Sequence, residues 1–189
     1  MLIVSHNLVN HDFPIPKDAI FRINLAWISN LEILKEILEK HKNDDIFLDL
    51  PKNRTKPPNN RYSMKELEPI IKSHTNIKYL AISNVNSSGD LSTLQEYIPD
   101  NIIIVPKIES PKGVENINEI TKTLGSEKII MLDHDDLYSS MLKSNDNPEN
   151  FQVYIKKLVD FCNNNNITLL RTIGVMFGDT EKRVSEYVK

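Results

Sequence analysis

Several features that mark particular protein classes are scarce in this chain of 189 residues. It has one cysteine, Cys162, so an internal disulfide is excluded. No apolar run approaches the ~18 residues of a transmembrane helix, and no signal-peptide pattern opens the chain. The sequence contains no long basic run, and its net charge is −3. These absences argue against a nucleic-acid or membrane partner, and the expected location is the cytoplasm.

Short runs rich in Ile, Val and Leu alternate with amphipathic stretches along the whole chain. The length predicts one domain over residues 1–189. The apolar runs predict strands at 19–27, 46–50, 77–82, 102–105, 128–132 and 168–173, with a weaker one at 2–4. Helical spacing predicts helices at 31–38, 64–71, 90–97, 114–124, 151–161 and 180–188, and Ser63 with Glu66 forms a capping-box pattern before the second.

Strands that alternate with helices predict βαβ units and a parallel sheet. Six firm strands and one weak one fall short of the eight strands and ~250 residues of a typical (β/α)₈ barrel. The predicted fold class is therefore α/β, a parallel (β/α) barrel of TIM type that is shortened or incomplete, with an open doubly wound sheet as the alternative. A missing strand would leave a sheet edge exposed, so we expect a homo-oligomer.

Polar side chains stand at the carboxyl end of each firm strand, where such folds bind ligands. Glu109 and Asp136 follow successive strands and would be neighbours, and two carboxylates with waters suit Mg²⁺ or Mn²⁺. Lys107 lies two residues before Glu109, so both side chains point to the same side of the strand. Beside a metal, this lysine could stabilise an enolate or a transferring phosphoryl group. Asp133 and Asp135 are interpreted as solvated residues or caps of the next segment.

Six of these strand-end segments occur in an order that is found in a known family. They are FRINL at 21–25, DLPKNRT at 49–55, AISNVNS at 81–87, PKIE at 106–109, MLDHDDL at 131–137 and LLRT at 169–172. Together they resemble the barrel domain of pyruvate kinase. The chain departs from that family at Ala26, Trp27 and Asp135, and only 56–61 stand where the lid domain would be inserted.

The resemblance implies roles for the residues that match. Lys107 would stabilise the phosphoryl group and the enolate, and Thr172 would lie near the carbon that gains a proton. Glu109 and Asp136 would hold Mg²⁺ or Mn²⁺ bridging to the oxygens of phosphoenolpyruvate, pyruvate or a similar keto acid. The implied activity is that of a phosphotransferase with a small-molecule substrate.

The same resemblance assigns the first two firm strands to ion binding. Arg22 would bind phosphate, and Asn24 and Asp49 would belong to a site for a monovalent cation such as K⁺. The segment from Glu109 to Asn116 suits the related aldolase and citrate-lyase β-subunit family equally well. Two alternatives therefore stay open, namely a metal-dependent lyase that acts beside a keto acid and a non-catalytic binding module.

Overall fold

A computed structural model describes residues 1, 3–5, 17–52 and 57–171 of the chain. The described part contains seven strands. They are β1 (Ile3–Ser5), β2 (Ile20–Asn24), β3 (Ile46–Leu50), β4 (Ile77–Ile82), β5 (Ile103–Ile108), β6 (Ile129–Leu132) and β7 (Thr168–Arg171). The predicted strands are confirmed, including the weak one at the start of the chain.

All seven strands belong to one parallel sheet, and their order in the sheet is their order in the chain. The sheet curls into a half-barrel. The predicted α/β class with a parallel sheet is confirmed in this coarser form, whereas closure into a TIM barrel is not shown by the described strands. This simple order arises because each crossover helix returns the chain to the next position in the sheet.

Seven α-helices connect the described strands. They are α1 (Leu31–Lys40), α2 (Met64–Ser73), α3 (Gly89–Gln95), α4 (Pro111–Glu115), α5 (Ile117–Lys122), α6 (His134–Lys143) and α7 (Asn150–Asn164). The helix predicted at 114–124 is in fact two helices, α4 and α5, which are separated by Asn116. Helix α6 was not predicted, and the helix predicted at 180–188 lies outside the described residues.

Local capping explains where two of these helices begin. The predicted capping box before α2 is confirmed, because the Ser63 side chain accepts from the Glu66 N–H and the Glu66 carboxylate accepts from the Ser63 N–H. Asp133 caps α6 in a similar way, accepting from the Asp136 N–H at 3.3 Å. Both caps satisfy backbone donors that have no partner within the helix.

The two faces of the sheet bury different kinds of neighbours. Alternate strand residues such as Leu48, Leu80 and Ile130 form a large core with the apolar sides of the helices. The strand residues that point the other way form a second cluster made of strand residues alone. We call this inner cluster the apolar floor; its buried members are Ile20, Phe47, Ala81, Val105, Ile129 and Met131. The helices therefore cover one face, and the other face lines the half-barrel.

Within the described ranges, every helix is too short or too polar to cross a lipid bilayer.

Candidate functional site

The apolar floor gives way to charged side chains at the carboxyl ends of the strands. Because side chains two residues apart share a face of a strand, Val105 is followed on the inner side by Lys107 and then Glu109. In the same way, Phe47 is followed by Asp49. We call the charged group at this end the rim; its members are Arg22, Asp49, Lys107, Glu109, Asp133 and Asp136.

Three carboxylates of the rim come together. One oxygen from each of Glu109, Asp133 and Asp136 lies within 4.8 Å of the other two. The structure thus brings together Glu109 and Asp136, the pair predicted from successive strands, and it adds Asp133. The signal that could have identified Asp133 is its position, since it is the first residue after β6 and carries a side chain suited to capping α6.

Glu109 is the most buried of the three acids, with 2% of its surface exposed. Its Oε2 accepts a hydrogen bond of 2.7 Å from the backbone N–H of Asn84. Its Oε1 is buried without a hydrogen bond of good geometry in the described chain, although Lys107 Nζ lies 2.8 Å away as an ion-pair partner. A buried carboxylate oxygen of this kind is incompletely satisfied. The carboxylate to which it belongs also brings one oxygen within 4.8 Å of oxygens of Asp133 and Asp136.

Two cations balance part of this negative charge. Arg22 donates from Nε to Asp49 Oδ2 at 3.0 Å and also pairs with it through Nη2. Lys107 is 5% exposed, donates to Ser83 Oγ at 3.2 Å and has its Nζ 3.7 Å from Asp49 Oδ2. Lys107 therefore stands between two acids, Asp49 on one side and Glu109 on the other.

The pKa values of the two buried acids, Glu109 and Asp49, are shifted in opposite directions. Burial raises the pKa of Glu109, and the attraction of Lys107 offsets this only in part. Burial would also raise the pKa of Asp49, but Lys107 and Arg22 together lower it below its ordinary range. Burial would lower the pKa of Lys107, yet Asp49 and Glu109 raise it, so the ammonium stays charged. Of the two buried acids beside Lys107, Glu109 is therefore the one whose charge is less compensated.

The residues predicted for a monovalent cation have other contacts. Asn24 lies in register with Asp49 on the neighbouring strand. However, the Asn24 side chain accepts from the Ala26 N–H at 3.0 Å and caps the 3-10 turn Leu25–Trp27. Asp49 is engaged with Arg22 and Lys107. The monovalent-cation site stays a prediction, and Thr172 lies outside the described residues.

His134 is buried next to the rim, but its ring contacts the helices. Its Nε2 has no hydrogen-bond partner in the described part of the chain, and its ring meets Phe151 edge-on at 6.5 Å between centroids. Burial and the charge of Arg171 lower the pKa of His134, so the ring is held neutral. This residue belongs to the packing of α6 against α7.

The comparisons with known proteins bear on the fold alone. No family model and no curated protein matches the chain. Among solved structures, the chain is similar to RipC from Yersinia pestis, with a TM-score of 0.63 and 14% sequence identity over 94% of this chain and 77% of that one. The shared feature is a curled, all-parallel α/β sheet.

This similarity corrects the family that the strand-end segments suggested. The prediction that the chain is a pyruvate kinase barrel domain is wrong, because the structural similarity is to RipC and the described strands form a half-barrel. The six segments are short and centred on buried strands that end in polar residues. Any parallel sheet with its ligands at the carboxyl edge needs such segments, which explains how they misled the assignment.

Proposed function

We propose that this protein binds a divalent cation, Mg²⁺ or Mn²⁺, through Glu109, Asp133 and Asp136, and uses it to bind a small keto acid whose enolate it stabilises in a lyase reaction. The observation that carries this proposal is the buried carboxylate of Glu109, which lies within 4.8 Å of oxygens of Asp133 and Asp136 and whose Oε1, beside Lys107, has no hydrogen bond of good geometry in the described chain. Three ionised carboxylates grouped in this way, one buried and two half-buried, would repel one another without a cation.

The donor set suits a small, hard cation. Octahedral Mg²⁺ with ligands at about 2.1 Å separates opposite oxygens by about 4.2 Å. Among three ligands at most one pair can be opposite, and adjacent oxygens on the same ion are about 3.0 Å apart. The three carboxylate oxygens lie within 4.8 Å of one another, so side-chain rotations would have to bring them somewhat closer to share one ion. Three protein ligands would leave about three positions for waters or for two oxygens of a substrate.

The charges of the rim indicate what the substrate would be. With every rim carboxylate ionised, two cations stand against four carboxylates, so the formal charge is −2. One divalent cation neutralises this charge. An anionic keto acid would be repelled without the cation and attracted by Arg22 and Lys107 with it.

Lys107 has a further role in this proposal. Its ammonium lies 2.8 Å from Glu109 Oε1. A cation held by the Glu109 carboxylate would repel the ammonium, which would turn towards the substrate oxygen that becomes negative. When the bond between C3 and C4 of a 4-hydroxy-2-keto acid breaks, its electron pair would enter the keto group as an enolate, while the 4-hydroxyl gives its proton to a rim carboxylate and becomes a carbonyl. Lys107 would stabilise the enolate charge, and the enolate would then take up the proton held by that carboxylate.

The test is a calorimetric titration of Mn²⁺ with and without oxalate, a mimic of the enolate of a keto acid. We expect the wild type to bind Mn²⁺ and oxalate to strengthen that binding. Glu109→Gln and Asp136→Asn should each weaken Mn²⁺ binding by at least about tenfold. Asp135→Asn is the matched control, because Asp135 is an exposed carboxylate in the same helical turn and outside the acidic group.

Three outcomes separate the parts of the proposal. Absence of Mn²⁺ binding by the wild type would exclude the metal site. Mn²⁺ binding that oxalate leaves unchanged would exclude the keto-acid substrate and leave a metal-binding module. Binding that oxalate strengthens supports the proposal, and the next assay would follow pyruvate release from 4-hydroxy-2-keto acids in the presence of Mn²⁺.

A further inference from the structure

Asn84 has an unusual backbone conformation at the edge of the rim. It is the second residue after β4, and its φ is 54°, in the left-handed region. Most side chains crowd the following carbonyl in this region, whereas glycine and asparagine occupy it routinely. The conformation turns the chain sharply just beyond the carboxyl end of a strand.

The turn directs the Asn84 N–H at a rim carboxylate. This N–H donates to Glu109 Oε2 at 2.7 Å, across from β4 to the residue that follows β5. Oε2 is thereby held, and Oε1 lies beside the Lys107 ammonium. The single N–H therefore fixes the rotation of a carboxylate that contributes one oxygen to the acidic group with Asp133 and Asp136.

Asn84 is itself held from three directions. Its side-chain Nδ2 donates to the Lys52 carbonyl at 2.7 Å, which ties it to the segment after β3. Its own carbonyl accepts from Asn86 Nδ2 at 3.0 Å. The next residue, Val85, donates its N–H to the Lys107 carbonyl at 3.2 Å. The turn thus connects the carboxyl ends of three neighbouring strands.

We propose that Asn84 is a positioning residue for Glu109, and that its left-handed backbone, more than its side chain, orients the carboxylate for metal binding. This inference rests on the proposed metal site. A donor that hydrogen-bonds to a metal-binding side chain sets the orientation of that side chain, and its loss costs about 10–100-fold in metal affinity.

Two substitutions separate the backbone from the side chain. Asn84→Gly keeps access to the left-handed conformation and removes the bond to Lys52, so we expect Mn²⁺ affinity within about threefold of the wild type. Asn84→Ala removes the same side-chain bond but disfavours the conformation, so we expect a loss of at least about tenfold. Affinity and coordination symmetry would be followed by electron paramagnetic resonance of Mn²⁺ bound to the full chain.

Asn166→Ala is the matched control. Asn166 has nearly the same φ, 53°, and stands before β7 at the opposite end of the sheet. We expect Asn84→Ala and Asn166→Ala both to lower the melting temperature, and only Asn84→Ala to weaken Mn²⁺ binding and change the resonance spectrum.

The outcomes distinguish this inference from the function on which it rests. A wild type that binds no Mn²⁺ overturns the proposed metal site and the positioning role with it. A wild type that binds Mn²⁺ while Asn84→Ala binds equally well overturns the positioning role alone. Equal losses in Asn84→Gly and Asn84→Ala overturn the backbone as the cause and assign the effect to the side-chain bond with Lys52.

Discussion

The apolar floor and the charged rim lie on the same strands, one pleat repeat apart, yet they are held together by different forces. Phe47 in the floor is fully buried among apolar neighbours and stacks on Tyr79 with 6.0 Å between ring centroids. Asp49, two residues later, is as deeply buried but contacts Arg22 and Lys107. Burial in the floor stabilises the fold directly, while burial in the rim is tolerated only because opposite charges meet there.

The rim depends on the floor for its geometry, but substitutions and changes of pH should affect the two regions differently. The stability that the floor provides should fall when side-chain volume is removed, and it should not depend on pH. The rim should respond to lost charge, to pH and to cations. Three substitutions test whether the two regions separate in this way.

The largest effect is expected in the floor. Phe47→Ala should lower the free energy of unfolding by about 3–5 kcal/mol, because it removes a fully buried aromatic ring and leaves a cavity. Urea denaturation measures this loss. At a temperature where the variant is folded, its Mn²⁺ affinity should stay within about twofold of the wild type.

Phe47→Leu is the control for this prediction, and it should cost less than about 1.5 kcal/mol because it keeps most of the volume. A large loss of Mn²⁺ affinity in Phe47→Ala would show that floor and rim do not separate.

The second effect is expected in the rim. Asp49→Asn should lower the free energy of unfolding by about 3 kcal/mol at neutral pH, because it keeps the shape of the side chain but leaves Arg22 and Lys107 without their shared acid. Asp45→Asn is the matched control, since Asp45 is exposed directly before the same strand and should change stability by less than about 0.5 kcal/mol.

The pH dependence of this second effect has a definite sign. The pKa of Asp49 in the folded protein is lowered, because Lys107 and Arg22 outweigh the burial that would raise it. The stability from its charge is therefore fully present above its ordinary value of 3.8 and is lost as the pH falls through the lower folded-state pKa. Wild type and Asp49→Asn should converge in stability below that pH, and a constant gap down to pH 2 would contradict the assignment.

The smallest effect is expected for Ser83→Ala. The Ser83 hydroxyl accepts from Lys107 Nζ at 3.2 Å, and its removal should cost about 1 kcal/mol. Ser92→Ala on the exposed side of α3 serves as the control and should have a smaller effect. Equal costs in the two variants, measured by urea denaturation, would show that the bond to Lys107 adds nothing to the rim.

Part of the candidate site could be predicted from sequence, because it depends on local periodicity. Glu109 directly follows β5 and lies two residues after Lys107, so the alternation of the strand predicted that their side chains share a face, and their polar atoms are 2.8 Å apart. Glu109 and Asp136 follow successive strands of a parallel sheet, whose carboxyl ends share an edge.

Other parts were missed for equally physical reasons. Helix α6 was overlooked because its first turn, with His134, Asp135 and Asp136, reads as a cluster of strand-end polar residues. Asp133 consequently appeared as a solvated residue or a cap. It is a cap, and the first turn of α6 folds back so that it also joins the acidic group.

The sequence by itself determined the order of the strands, the parallel sheet and the polar residues at the strand ends, because these depend on the period of two residues in strands and the helical spacing between them. Only the tertiary structure decided the pairing within the rim. Register places Asn24 beside Asp49, but the longer side chain of Arg22 reaches along the strand to pair with that acid. Such contacts depend together on the curl of the sheet, the register of the strands and the length of the side chains, so a local sequence pattern does not predict them.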